Sequence, residues 1–162
     1  MQKNLSDIDG YLYTSKNILE LNSDIDKEVL AAIHIERARI FNSKEAVDQS
    51  GIEVLSAFSK LAKSKNHELL AAAYIEKANN KILGKLFFAA EDAIDNALYH
   101  YSKYEAPSIK IANAKSTLSD ILIKQGKYKE ANKILEEACY EIYRDKGYKF
   151  KDTQKCAVLN QR

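Results

Sequence analysis

An internal repeat constrains this chain more than any other feature. Glu28, Leu30, Ala31, Ala32, Ile35, Glu36 and Ala38 recur forty positions later as Glu68, Leu70, Ala71, Ala72, Ile75, Glu76 and Ala78. A further shift of about forty reaches residues 108–112, which open a third helical pattern after the sole proline, Pro107. Self-similarity at such a period means that one supersecondary unit is stacked on copies of itself. Each unit then holds a second helical stretch, at about 51–64, 86–103 and 128–144. The last of these is amphipathic: Ala131, Ile134, Leu135, Ala138 and Ile142 recur at spacings of three and four, so they share one stripe of a helix. The composition fits stacked helices. Five glycines and one proline are too few for a turn-rich β fold, and 46% hydrophobic residues can build a core.

Punctuation places the helix ends. Gly126 supplies the left-handed backbone that closes a helix at 125–127. Asn66 and Ser108 are expected to cap the helices that follow them, with Pro107 in the turn before. At the ends of the chain, Ile8, Leu12, Ser15, Ile18 and Leu19 predict one additional helix packed on the first unit. Residues 152–162 read as the first helix of a fourth unit or as a capping helix. The whole chain is therefore expected to be one domain. It comprises an N-terminal helix (1–27), units at 28–67, 68–107 and 108–147, and a capping or truncated helix at 148–162.

Chemistry-bearing patterns are scarce. His34, His67 and His100 are far apart in sequence, with no metal-ligand spacing, and each reads as a surface or inter-helix residue. Asp24 and Asp26 lack the glycine and the bidentate glutamate of a calcium loop. No phosphate-cradling glycine loop, nucleophile elbow or dinucleotide fingerprint appears. Cys139 and Cys156 are too separated for a redox or zinc pair and read as reduced thiols. Catalytic, cofactor and metal sites are thus expected to be none, and the chain is read as a non-enzyme.

Tyrosines and lysines mix between Tyr143 and Lys155, as base stacking with phosphate contact would require. A net charge of only +2 disfavours nucleic acid as a partner. No apolar run approaches the ~20 residues needed to cross a bilayer, so no membrane partner is expected. The polar opening residues have no signal-like stretch behind them, and the location is read as cytoplasmic.

The third unit resembles a known family. Leu118, then residues 122–131 with Gly126, Tyr128 and Ala131, then Leu135 and Ala138, are similar to the tetratricopeptide repeat. The second unit matches more loosely through Ala71, Tyr74, Ala78, Phe87, Ala90, Ile94 and Ala97, with Gly84 one position early. The first is degenerate: Ser50 and Gly51 replace the clear alanine and its connector looks longer. The period of about forty exceeds the usual 34 of these repeats and looks more like kinesin light chains and MalT-type bacterial regulators.

This resemblance implies an all-α fold, a right-handed superhelical α-solenoid of antiparallel helix pairs. It also implies a concave groove lined by the first helix of each pair, where the family binds peptides or helices. Carried over by position, the groove would include Ala32, Ile35, Glu36 and Arg39; Ala72, Ile75, Glu76 and Asn79; and Asn113, Ser116, Thr117 and Asp120. The clamp that some members use for a C-terminal carboxylate is not matched by Ile35, Arg39, Glu76, Asn113 and Thr117. The implied activity is that of a protein-binding adaptor or scaffold. The alternative is a ligand- or peptide-sensing domain of a MalT-like regulator.

Overall fold

The computed structural model describes residues 2–21 and 25–144. Over that range the chain is seven α-helices with no strand: α1 (Gln2–Leu21), α2 (Lys27–Ser43), α3 (Val47–Leu61), α4 (His67–Leu83), α5 (Phe87–Lys103), α6 (Ser108–Lys124) and α7 (Tyr128–Arg144). The helices expected from the repeat are present. The readings for residues 148–162 and for the basic tyrosine-rich stretch beyond Arg144 lie outside the described residues.

The helices pair as α2 with α3, α4 with α5 and α6 with α7, and each pair also packs on the next. The linkers within the pairs, 44–46, 84–86 and 125–127, are only long enough to reverse the chain. Each closes in the same way. Ala46 N–H donates to Phe41 C=O (2.9 Å), Leu86 to Lys81 (2.8 Å) and Lys127 to Leu122 (2.9 Å). The residue before each donor is left-handed, with φ of 56° at Glu45, 58° at Lys85 and 79° at Gly126. This Schellman closure satisfies carbonyls that the helix end leaves orphaned. The link 104–107 repeats it, with Glu105 at φ 53° and Ala106 N–H donating to Tyr101 C=O.

Three details differ from the sequence reading. The first linker is no longer than the others, and α3 begins at Val47 rather than near Gly51. Ser108 is the first residue of α6, whose cap is Pro107 with no side-chain hydrogen bond, whereas Asn66 does cap α4 by accepting from Leu69 N–H. The offset of Gly84 in unit two, by contrast, agrees with the sequence reading: the left-handed position is the next residue, Lys85.

Small side chains at equivalent positions set how closely the helices approach. Ala31, Ala71 and Ala112; Ala38, Ala78 and Ser119; Ser50, Ala90 and Ala131; and Ala57, Ala97 and Ala138 are all at most 3% exposed. With no more than a methyl or hydroxymethyl group at each crossing, larger neighbours fill the gaps beside them. Ile94 and Ile121, each 1% exposed, do so in the cluster shared by α4 to α7. Each contributes roughly 1.5–3 kcal/mol of burial. Ile35 and Leu61 serve the smaller cluster of α2, α3 and α4. The recurring glutamate at the start of α2 and α4 ties unit to unit. Glu28 accepts from Ser64 Oγ and Asn66 Nδ2 in the following linker, and Glu68 accepts from Lys110 Nζ of α6 (3.0 Å).

Candidate functional site

Residues that begin on separate turns of α2 and α4 meet in one polar cluster. Arg39, Asn42 and Ser43 occupy the last turns of α2, and Glu76, Asn79 and Asn80 the same stretch of α4. Because α4 lies against α2 as well as α3, these turns face each other. Glu76 is 2% exposed, so its carboxylate must find partners inside the protein. Arg39 Nε donates to Oε1 at 3.1 Å, while Asn42 Nδ2 (3.0 Å) and Asn79 Nδ2 (3.3 Å) donate to Oε2. Asn42 Nδ2 also reaches Glu76 C=O, and its Oδ1 accepts from the buried Ser50 Oγ at 2.6 Å. Asn80 Nδ2 donates to Val47 C=O at 2.7 Å, joining α4 to the start of α3. Arg39 further pairs with Glu36 at 2.8 Å and remains about half exposed. Burial works against its charge, but Glu76 and Glu36 outweigh that and hold its pKa above the ordinary value.

This cluster forms one wall of a pocket of about 360 Å³ lined by Arg39, Asn42, Ser43, Glu76, Asn79, Ile82 and Leu83. Ile82 and Leu83 give it apolar lining, and the Arg39 guanidinium and the Asn42 and Asn79 amides give it polar lining. Such a surface can hold an apolar side chain while offering hydrogen bonds to a backbone.

The residues carried over from the repeat family divide three ways. Glu36, Arg39, Glu76 and Asn79 come together in this network. Ile35 is 3% exposed, packed among Ala31, Ala57, Leu61 and Ala73, and offers no surface to a partner; Ile75 is half-buried against the larger cluster. On α6, Asn113, Ser116 and Asp120 are exposed and Thr117 donates to Asn113 C=O at 3.1 Å. Ser116 and Asp120 line a different pocket of about 400 Å³, with Ser119 and Ile123 of α6 and Tyr128, Ala131, Asn132 and Leu135 of α7.

Asn42, Ser43, Ile82 and Leu83 were not among the sequence candidates. The spacing of three from Arg39 to Asn42 and from Asn79 to Ile82, on helices already read as neighbours, was the available signal.

Two histidine contacts were also hidden by sequence distance. His34 Nδ1 and Arg37 Nε both lie 2.7 Å from the Glu53 carboxylate, and Arg37 Nη1 donates to Leu12 C=O and Ser15 Oγ of α1. Burial alone would raise the Glu53 pKa, yet the bonds from His34 and Arg37 hold it below the usual carboxylate value. His67 and His100 meet at 2.8 Å between α4 and α5.

No group of three or more metal-ligating side chains exists among the described residues, and no described helix is long and apolar enough to cross a membrane. No family model, curated protein or solved structure matches the chain.

Proposed function

We propose that this chain is a non-enzymatic adaptor that binds a peptide or helix segment of a protein partner in the cytoplasm. In this reading the helix pairs belong to a right-handed α-solenoid of the tetratricopeptide kind, and α2, α4 and α6 line its concave side. The observation that carries the reading is the pocket between α2 and α4. Its polar wall is held rigid by a buried, fully partnered glutamate, so a partner meets a preformed surface. Preorganisation of this sort lowers the ordering cost of association. Ile82 and Leu83 supply the apolar contact, and Arg39 and Asn79 supply the polar contacts that fix register.

The test is affinity capture from lysate with the intact chain and with a Ser43→Arg, Asn79→Arg variant, which fills the pocket without removing Glu76. Circular dichroism establishes that both are equally helical. A protein retained by the intact chain and lost by the variant is the expected result. Equal retention by both would remove this pocket from the binding surface.

A further inference from the structure

His67 is the first residue of α4 and His100 lies in the last turn of α5. An antiparallel pair brings those ends together, and the two Nδ1 atoms stand 2.8 Å apart with ring centroids at 5.1 Å. A bond between two imidazole nitrogens needs one N–H and one lone pair. The neutral pair can satisfy this with opposite tautomers. A single added proton is also tolerated, because an imidazolium donates to its neutral partner. A second proton leaves two donors and no acceptor, with two like charges in contact, and the bond cannot persist.

The contact reaches beyond α4 and α5. His100 stacks on Tyr74 of α4 (5.5 Å, 21° between planes), and Tyr74 meets Phe58 of α3 edge-on at 4.7 Å. Tyr99 also meets His100 edge-on, with ring centroids at 5.2 Å. One aromatic chain therefore joins the first unit to the second, and the histidine pair sits at its end.

Around the pair, from α2 comes Glu28, whose carboxylate accepts from Ser64 and Asn66, next to His67. From α3 comes Phe58, which carries no charge. From α4 come Tyr74, with Lys77 Nζ over its ring, and Glu68, which is engaged with Lys110 of α6. From α5 come Tyr99 and Lys103, the lysine sitting over the Tyr99 ring at 4.9 Å. Beyond burial, the charge that acts on His100 is that of His67.

We propose that the His67–His100 pair is an acid-sensitive clasp, closed at neutral pH and opened by the second proton, that holds α4 and α5 to the aromatic joint with α3. Burial and the neighbouring His67 both lower the His100 pKa below the ordinary imidazole value, in keeping with a fold that favours the uncharged pair. Because α4 also carries Glu76 and Asn79, opening the clasp would act on the same helix that builds the pocket. This adds regulation to the adaptor reading and does not depend on it, since the clasp can be tested without any partner.

The experiment follows the imidazole resonances of the full chain by NMR from about pH 8 to pH 4.5, together with amide exchange corrected for its intrinsic pH dependence. The expected result is coupled titration of the histidine pair in two separate macroscopic steps. With it, protection in the first turns of α4 and the last turns of α5 falls about tenfold, while α6 and α7 hold. A His100→Gln variant should lose this pH response, and His34→Gln should retain it. Independent titration of both rings near the ordinary value, with unchanged protection, overturns the proposal. So does a His100→Gln chain with the full wild-type response. If His100→Gln does not fold, His67→Asn takes its place, and the wild-type titration alone still decides.

Discussion

The left-handed residue in each linker gives a prediction whose sign depends on one position of register. Glu45, Lys85 and Gly126 occupy the same Schellman position, yet only the third is glycine. A residue with a Cβ in this conformation costs roughly 1–2 kcal/mol. Replacing it by glycine recovers that strain and adds about 0.5–1 kcal/mol of unfolded-state entropy to be lost on folding. Lys85 is exposed, so little packing is sacrificed. The net expectation for Lys85→Gly is a gain of about 0.5–1 kcal/mol. In a domain of this size that raises Tm by about 1–4 °C. Gly126→Ala should lower Tm by a similar amount, although nothing lies within 4 Å of the added methyl, because the conformation itself is strained. Gly84→Ala separates the cases. Gly84 has φ of −75° and an added Cβ would lie 3.5 Å from Asn80 C=O, ordinary contact, so a change well below that at Gly126 is expected. Thermal unfolding of the three variants by circular dichroism decides. A fall in Tm for Lys85→Gly, or a greater loss at Gly84 than at Gly126, would refute the assigned register.

Further predictions concern the helix contacts. Gly51→Ala, inside α3, places a methyl 3.7 Å from Asn80 Nδ2 and should stabilise by about 0.5–1 kcal/mol through helix propensity, read from the urea midpoint. Glu76→Ala removes one acceptor from Arg39, Asn42 and Asn79 together. Since Arg39 can turn to water, a cost of about 1–3 kcal/mol is expected in the same urea assay. Arg37→Ala should release α1, increasing amide exchange at 8–20 while α4 to α7 are unchanged. Glu53, the carboxylate that Arg37 and His34 share, contributes to acid stability. Its folded pKa is depressed, so its contribution is present above the unfolded carboxylate value and is lost as pH falls through the folded one. Stability measured from about pH 5 down to pH 3 should fall less steeply in Glu53→Gln than in the parent.

The helices were readable because the repeat writes the same packing problem three times. Alanine recurs where two helices cross, and a position that must stay small in every unit is visible as a spacing of forty or forty-one. Even the apparent exceptions obey the constraint. Ser50 stands where units two and three have alanine, is fully buried, and spends its hydroxyl on Asn42. Ser119 stands where the first two units have alanine and donates to Ala131 C=O. At Ser50 the sequence shows the missing alanine but not the acceptor, Asn42 Oδ1, that its hydroxyl meets.

The site was less legible, for a physical reason that also limits any groove assigned by repeat position. On a helix flanked by neighbours on two sides, a residue one turn away from a packing position can face either the groove or the adjacent helix. Glu36 and Glu76 are equivalents in sequence, and the repeat gives them the same role. Glu36 is about half exposed and pairs only at the surface with Arg39, whereas Glu76 has α2 laid over it and is sealed inside. The difference arises because Glu76 has a preceding unit and Glu36 meets only α1, which touches α2 sparsely. A charged residue at a groove position is therefore no sign of a partner by itself. In the second unit it is part of the wall, and the contacts left for a ligand are those the wall holds in place: the guanidinium of Arg39, the amide of Asn79, and the side chains of Ile82 and Leu83.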